Sequence, residues 1–393
     1  MWGFSIRDRD SVAIIFRFFV FVILCVPALS QAQTSTYETN APHAAIIDFE
    51  TGLVLYEKNA RDAIAPASMT KIMTADLVFE QIKSGRLALT DTFKVSEDAW
   101  RRGGVKSGSS TMFLDLGSTV AVEDLLRGVI IQSGNDACIV LAQGIAGSES
   151  SFAEMMTERA KALGFDSANF VNATGWPHPD HKISTLDLAR LARHSIRAYP
   201  EFYPIYSERS FKWNGISQNN RNPLLGSIDG ADGLKTGHTE ISGYGLVGTA
   251  ERQGVRRIIV INGLESKSAR RDTARSLMEA AFSRFEIVSV RKKQDIIKDI
   301  AVYLGVEPTV KALVPYDINV GATKLDRDNI KLEVSHATNL VAPIEAGQEI
   351  GSLTVRVPGQ SPQTIPLIAS EAVPAKKGLS RVLSVLKRKI KGS

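Results

Sequence analysis

The sequence predicts an α+β (mixed α/β) first domain, with helices and an antiparallel sheet, followed by a small all-β sandwich. Three observations carry this reading. Two β-rich stretches, Ala44 to Glu57 and Asp232 to Ile261, enclose a long helical interior. A sheet closed by such distant segments is a mixed architecture. After Phe285 helical spacing fades, and short β-branched runs alternate with turn residues, as in a sandwich.

The elements follow in order. Arg7 and Arg9 precede an apolar run, Val12 to Val26, interrupted by Arg17, and the small residues of "PALSQAQ" follow. Residues 1–32 thus read as a secretory signal peptide, with Ala28 and Ser30 suiting cleavage before Gln31, or Ser30 and Ala32 before Gln33. The alternative is a retained membrane anchor. In the first domain, 33–286, Ala44–Asp48 and Leu53–Glu57 flank "ETG" as a hairpin. "SMTKIMTADLVFEQIKSG" reads as a helix with Ile72, Ala75, Phe79 and Ile82 on one face and Gly85 as its stop. Two helices broken by "QSGND" come next, then helices at "SSFAEMMTERAKALGF" and "STLDLARLARHSIRAYP". "GYGLVGTAERQGVRRIIVING" reads as two strands around a turn, and "SARRDTARSLMEAAFSRF" as the closing helix. The sandwich spans 287–372, with strands in "TVKALVPYDI", "NIKLEVSHA", "EIGSLTVRVPG" and "QTIPLIAS"; a linker and basic helix occupy 373–393.

The formal charge of the 393 residues is +5, but it is unevenly placed. The stretch from Lys376 holds seven cations and no acid, and the first 32 residues contribute a net +1, so the body between is −3. A basic nucleic-acid-binding body is not indicated. In the tail, Leu379, Val382, Leu383, Leu386 and Ile390 recur at helical spacing among Lys and Arg. Such a helix is too short and charged to span a bilayer and suits an anionic membrane surface; a solvated tail is the other reading. Removal of the signal segment would take Cys25 and leave Cys138 unpaired in "ACIVLA", where a buried structural thiol is expected.

Three short motifs carry the chemistry. In "APASMTKIMT", Ser68 and Lys71 are three residues apart, on one helical face. A serine hydroxyl needs a base, and a lysine serves when desolvation or nearby cations lower its pKa. "QSGNDA" places Ser133 and Asn135 on a polar break, a hydroxyl to relay a proton and an amide to bind a carbonyl. "GLKTGHTEISGYGL", with Lys235, Thr236 and Gly237, begins the β-rich section, where a strand edge pairs with an extended peptide while Lys235 and nearby hydroxyls attract a carboxylate. Alone, each also fits an ordinary cap, loop or strand start.

Together, Ser-x-x-Lys, Ser-x-Asn and Lys-Thr-Gly match the element order of serine β-lactamases and penicillin-binding proteins, with Gly134 where an aspartate is usual. With "NATGWPHPDH" and the flanks of the motifs, the chain resembles the low-molecular-mass penicillin-binding proteins, specifically the serine D-alanyl-D-alanine carboxypeptidases, over nearly its full mature length. The resemblance implies a penicillin-binding-protein-like catalytic domain. Ser68 would be acylated, Lys71 would act as general base, and Ser133 would pass a proton to the leaving D-alanine. Asn135 would orient substrate and Lys71. Lys235, Thr236, Gly237 and Thr239 would bind the terminal carboxylate side, and the N–H groups of Ser68 and His238 would form the oxyanion hole. It further implies peptidoglycan pentapeptide as substrate, β-lactams as covalent inhibitors, no cofactor or metal, and residence on the periplasmic face of the bacterial inner membrane.

Rivals are a β-lactamase or D,D-endopeptidase on the same scaffold, a zinc peptidase using His178, Asp180 and His181 of "HPDH", and a non-catalytic peptidoglycan-binding scaffold. No stretch after "QSGN" equates with the deacylating glutamate of class A β-lactamases. The "HPDH" stretch lacks a separated ligand set.

Overall fold

The computed structural model describes residues 35–337 and 340–391, and side chains to Leu386. The expected signal peptide therefore lies outside the described residues, as do the side chains of Lys387, Arg388, Lys389, Ile390 and Lys391.

The predicted hairpin is present as β1 (His43–Asp48) and β2 (Val54–Lys58). Far along the chain come β3 (Ala231–Thr239), β4 (Gly243–Arg252) and β5 (Val255–Leu264). Gln253 and Gly254, both at positive φ, make the tight β4–β5 turn. The sheet runs β2-β1-β5-β4-β3, with β1 antiparallel to β5 from His43↔Asn262 to Asp48↔Arg257. Distant segments close the sheet, as the sequence predicts.

Period-2 alternation gives the sheet two apolar faces. Ala45, Ile47, Leu234, Val247, Ile258 and Val260 face one core. Ala44, Ile46, Leu246, Ile259 and Ile261 face another, covered by α6 (Lys267–Ser283). The first core holds α1 (Lys71–Lys83), α2 (Val122–Arg127), α3 (Asn135–Ala146), α4 (Glu149–Ala162) and α5 (Thr185–Ala198). Helix α1 is buried on nearly every face rather than on one stripe, because it runs through the middle of the domain.

Two local departures from the sequence reading matter. The "SMTK" helix begins as a 3₁₀ turn, Ala67–Thr70, and becomes α-helical only at Lys71. The break between α2 and α3 is a π-turn, Gly128–Gln132, ending at Ser133 in a left-handed conformation. Such turns interrupt regular helices at functional positions.

The third core lies between two sheets. One pairs β6 (Phe285–Arg291) with β9 (Ile318–Thr323). The other contains β7 (Ile296–Tyr303), β8 (Thr309–Leu313), β10 (Lys331–His336), β11 (Leu340–Val341), β12 (Glu349–Arg356) and β13 (Gln363–Ala369), in the order β10-β12-β13-β8-β7-β11. The sequence reading has no counterpart of β6, β7, β9 or β11; in β6 and β7 charged, half-exposed positions obscure the alternation. Asp326 ties the two regions together, accepting from the Thr36 N–H (3.1 Å) and Thr323 Oγ1 (2.7 Å). Helix α7 (Gly378–Lys391) ends the described chain.

Candidate active site

The site forms where the 3₁₀ turn, the start of α3 and the edge strand β3 meet. Three residues per turn eclipse positions i and i+3, so Ser68 and Lys71 are stacked directly. Lys71 Nζ lies 3.1 Å from Ser68 Oγ, and Ser68 makes no capping bond. Ala67 holds φ +48°, an αL value that a non-glycine residue adopts only under support. The loop at Gly175 supplies support: a Cβ there would stand 1.9 Å from Ala67 O.

Lys71 is fully buried and has two further partners, Asn135 Oδ1 at 2.7 Å and Thr174 O at 2.5 Å. Burial lowers its pKa, and the Arg221 charge adds to this, whereas Asp136 and Glu149 oppose it. Asn135 Nδ2 donates to Ser109 Oγ (2.9 Å), which fixes the amide with its oxygen toward Lys71. Ser133, buried and left-handed, ends the π-turn two residues before Asn135.

The segment facing α3 is tied to a carboxylate. Asp136, completely buried, accepts from Thr111 Oγ1 (2.6 Å), Met112 N (2.8 Å), Leu114 N (3.2 Å) and Ala137 N (2.9 Å). This packing explains glycine at 134, where a Cβ would stand 2.8 Å from Asp136 Oδ1 and 2.9 Å from Met112 N.

Strand β3 is the open edge of the sheet, so alternate backbone groups face the Ser68 turn. Gly237 is required there: a Cβ would lie 2.8 Å from Pro66 O and 3.2 Å from Met69 N. Lys235 sits mid-strand rather than at a strand start, buried, with Nζ 3.2 Å from Thr236 O. Burial puts its pKa well below the ordinary lysine range, and Lys71, Arg221 and Arg270 push it further down. An arriving carboxylate reverses that repulsion. His238 stacks on Tyr244 with ring centroids 3.8 Å apart. Thr239 is engaged in the β3–β4 turn, its Oγ1 2.8 Å from Ser242 Oγ, so it braces the strand end.

"HPDH" braces the site from behind. His181 Nδ1 accepts from the Val171 N–H (3.0 Å), so Nε2 carries the proton and donates to Thr70 Oγ1 (2.8 Å). Burial pushes its pKa down to about 4. His178 Nδ1 accepts from Asp180 N (3.1 Å). Cys138 is wholly buried, its thiol pushed up to about 12 by burial.

The structure thus brings Ser68, Lys71 and Asn135 into direct contact and sets Gly237 against the Ser68 turn, with Ser133 two residues before Asn135 and Lys235 two residues before Gly237 on β3. It adds groups that the sequence reading lacks. Arg221 Nη1 reaches Ser110 Oγ (2.5 Å), and Arg270 lies over Tyr244, 5.6 Å from its centroid. Thr174 contributes a main-chain carbonyl, which no motif reveals.

Residues 30–266 match the D-alanyl-D-alanine carboxypeptidase family, and residues 285–375 match the C-terminal domain of penicillin-binding protein 5. D-alanyl-D-alanine carboxypeptidase DacC of Escherichia coli is 36% identical over 361 residues, covering 90% of each chain. The crystal structure of the carboxypeptidase DacD from Francisella tularensis superposes with a TM-score of 0.72 at 30% identity, covering 88% of this chain and 96% of its own. Penicillin-binding protein D2 of Listeria monocytogenes, solved with ampicillin bound, gives 0.55 at 31% identity, over 64% of this chain and 100% of its own. On motif geometry and on likeness along most of its length, this chain belongs to the D-alanyl-D-alanine carboxypeptidase family of serine hydrolases.

Proposed function

We propose that the chain removes the terminal D-alanine from peptidoglycan pentapeptide stems through an acyl-enzyme on Ser68, and that β-lactams acylate the same oxygen. One observation carries the mechanism: the three neighbours of Lys71 Nζ. A neutral amine has two N–H bonds and one lone pair. Asn135 Oδ1 and Thr174 O can only accept, so they take both N–H bonds. In that form the lone pair is left for Ser68 Oγ, 3.1 Å away, so the Nζ–H donation that an ammonium makes there becomes acceptance of the serine proton. Burial favours that neutral form.

The steps follow. The stem lies along the open edge of β3 with its terminal carboxylate toward Lys235. Ser68 Oγ attacks the penultimate carbonyl carbon as Lys71 takes the hydroxyl proton. The oxyanion forms beside the N–H of Ser68 and the β3 edge, where fixed donors stabilise it. Ser133 relays the proton to the departing amine, and water hydrolyses the ester. A β-lactam follows the same attack, with its ring C–N bond breaking instead.

The acidic groups beside Lys71 argue against a β-lactamase. Asp136 is consumed by backbone donors, and both Glu149 oxygens are engaged, one by Ala173 N (3.1 Å) and the other by Arg102. Neither is placed as a free deacylating base.

The exported, membrane-facing setting is part of the proposal. The signal-like segment supports export. Leu379, Val382, Leu383 and Leu386 stand exposed on α7, which supports docking on an anionic membrane surface. Among the described residues no helix is long and apolar enough to cross a membrane. The primary test incubates the protein with a pentapeptide ending in D-Ala-D-Ala and with penicillin. D-alanine release and a penicilloyl adduct in intact mass, both lost in Ser68→Ala, are expected; adduct formation by Ser68→Ala at the wild-type level sinks the mechanism.

A further inference from the structure

The carbonyl of Thr174 aims the Lys71 lone pair, so whatever holds Thr174 shares control of the base. Its turn is fixed at three points. Asn172 Oδ1 gathers the N–H groups of Thr174 (3.2 Å), Gly175 (2.7 Å) and Trp176 (3.1 Å). Thr74 Oγ1, on the helix that carries Lys71, donates to Ala173 O (2.7 Å). The third point is charged: Glu149, at the start of α4, accepts the Ala173 N–H at 3.1 Å. The other Glu149 oxygen binds Arg102, whose guanidinium lies 5.3 Å from the Trp176 ring centroid. Arg102 belongs to the Ala99–Gly103 turn, and Gly103 abuts Asp136 N so closely that a Cβ would stand at 2.3 Å. One carboxylate therefore links the Thr174 turn to the Ala99–Gly103 turn, which packs against the start of α3.

We propose that Glu149 is a positioning residue for the acylation step. It fixes the Asn172–Ala173 peptide that leads into the turn, so that Thr174 O takes one Lys71 N–H, and its charge acts on the Lys71 amine. This rests on the Ser68 acyl-enzyme reading. Glu149 acts on Lys71 through the main chain from the Ala173 N–H to the Thr174 carbonyl.

The electrostatics of the surroundings fit. Burial raises the Glu149 pKa, while Arg102 and the Ala173 N–H lower it again. Asp98 and Lys71 are its other charged neighbours. Around Lys71 stand Asp136 and Glu149, which favour the ammonium, and Arg221, which opposes it; Cys138, Lys235 and the His181 ring complete the titratable set. Removing the Glu149 charge leaves Arg102 with Asp98, at 3.5 Å, as its remaining acidic partner. Loss of the Glu149 charge disfavours the ammonium, so the acid limb of the acylation rate moves to lower pH.

The experiment measures acylation by a fluorescent penicillin across pH for full-length wild type, Glu149→Ala and Glu149→Gln. Fold is monitored by thermal melting. Glu149→Ala loses both the acceptor and the charge, so its plateau falls by about tenfold or more, as misplaced catalytic groups do, and its acid limb moves down in pH. Glu149→Gln keeps an oxygen for the Ala173 N–H, so its plateau stays within about threefold while the limb still moves. If Glu149→Ala fails to fold, the Gln limb decides alone. An unmoved limb in Glu149→Gln, or a folded Glu149→Ala with wild-type plateau, overturns the proposal. A wild-type protein that forms no Ser68 adduct would instead overturn the acyl-enzyme reading on which it rests.

Discussion

Gly237→Ala tests the closest approach in the site. The added Cβ would meet Pro66 O at 2.8 Å, Met69 Cγ at 3.1 Å and Met69 N at 3.2 Å, whereas ordinary contact begins at 3.4 Å. Two of the three atoms are backbone, so no flexible side chain can swing away. Strand β3 must move from the Ser68 turn by roughly 0.6 Å, the shortfall at Pro66 O. The movement opens the gap between the Ser68 N–H and the strand, where the proposed mechanism puts the oxyanion. A displacement near 1 Å costs about 100-fold in rate, so acylation should slow by roughly tenfold or more. The fold should survive, because β3 retains its pairing with β4, and the melting temperature should change little. Stopped-flow acylation by a β-lactam, alongside thermal melting, reads both quantities. A Gly237→Ala protein that acylates at the wild-type rate would show that the strand edge does not shape the oxyanion site.

Lys235→Ala should lower kcat/KM on acid-terminated peptides by about tenfold or more, since a charge-assisted contact contributes roughly 1.5–3 kcal/mol; equal loss on an amidated peptide would remove the carboxylate role. The His181 pKa falls from 6.5 to about 4 on folding, so the unfolded chain binds the extra proton first. Stability is then complete above pH 6.5 and declines as pH falls toward 4, by about 3 kcal/mol in all. His181→Asn should flatten that part of the melting-temperature profile relative to wild type, and an unchanged slope would assign the acid loss elsewhere. Truncation after Pro374 should release the protein from membranes while small-peptide hydrolysis persists. Truncated protein that still sediments with the membrane fraction would refute anchoring by α7.

Local chemistry was legible in the sequence because it is local. The spacing of Ser68 and Lys71, the hairpin around "ETG", the helices of 149–198 and the β-rich return at 231–264 each follow from periodicity and turn residues within a short window. The long-range closure of the sheet was inferable too, since the helical interior leaves β1 only the strands of 231–264 with which to build a large sheet. The sequence could not show that Ser68 lies on a 3₁₀ turn, because Gly175 and Gly237, distant in the chain, both pack against that turn. Nor could it show β6 and β7, whose half-buried residues lack a clean pattern. Tertiary structure alone decided the character of the site. The base role proposed for Lys71 rests on burial, which lowers its pKa, and on its contacts with Asn135, 64 residues on, and Thr174, 103 residues on. Desolvation and the direction of a lone pair belong to the surroundings of a side chain, and chain folding assembles those from segments that carry no mark of it.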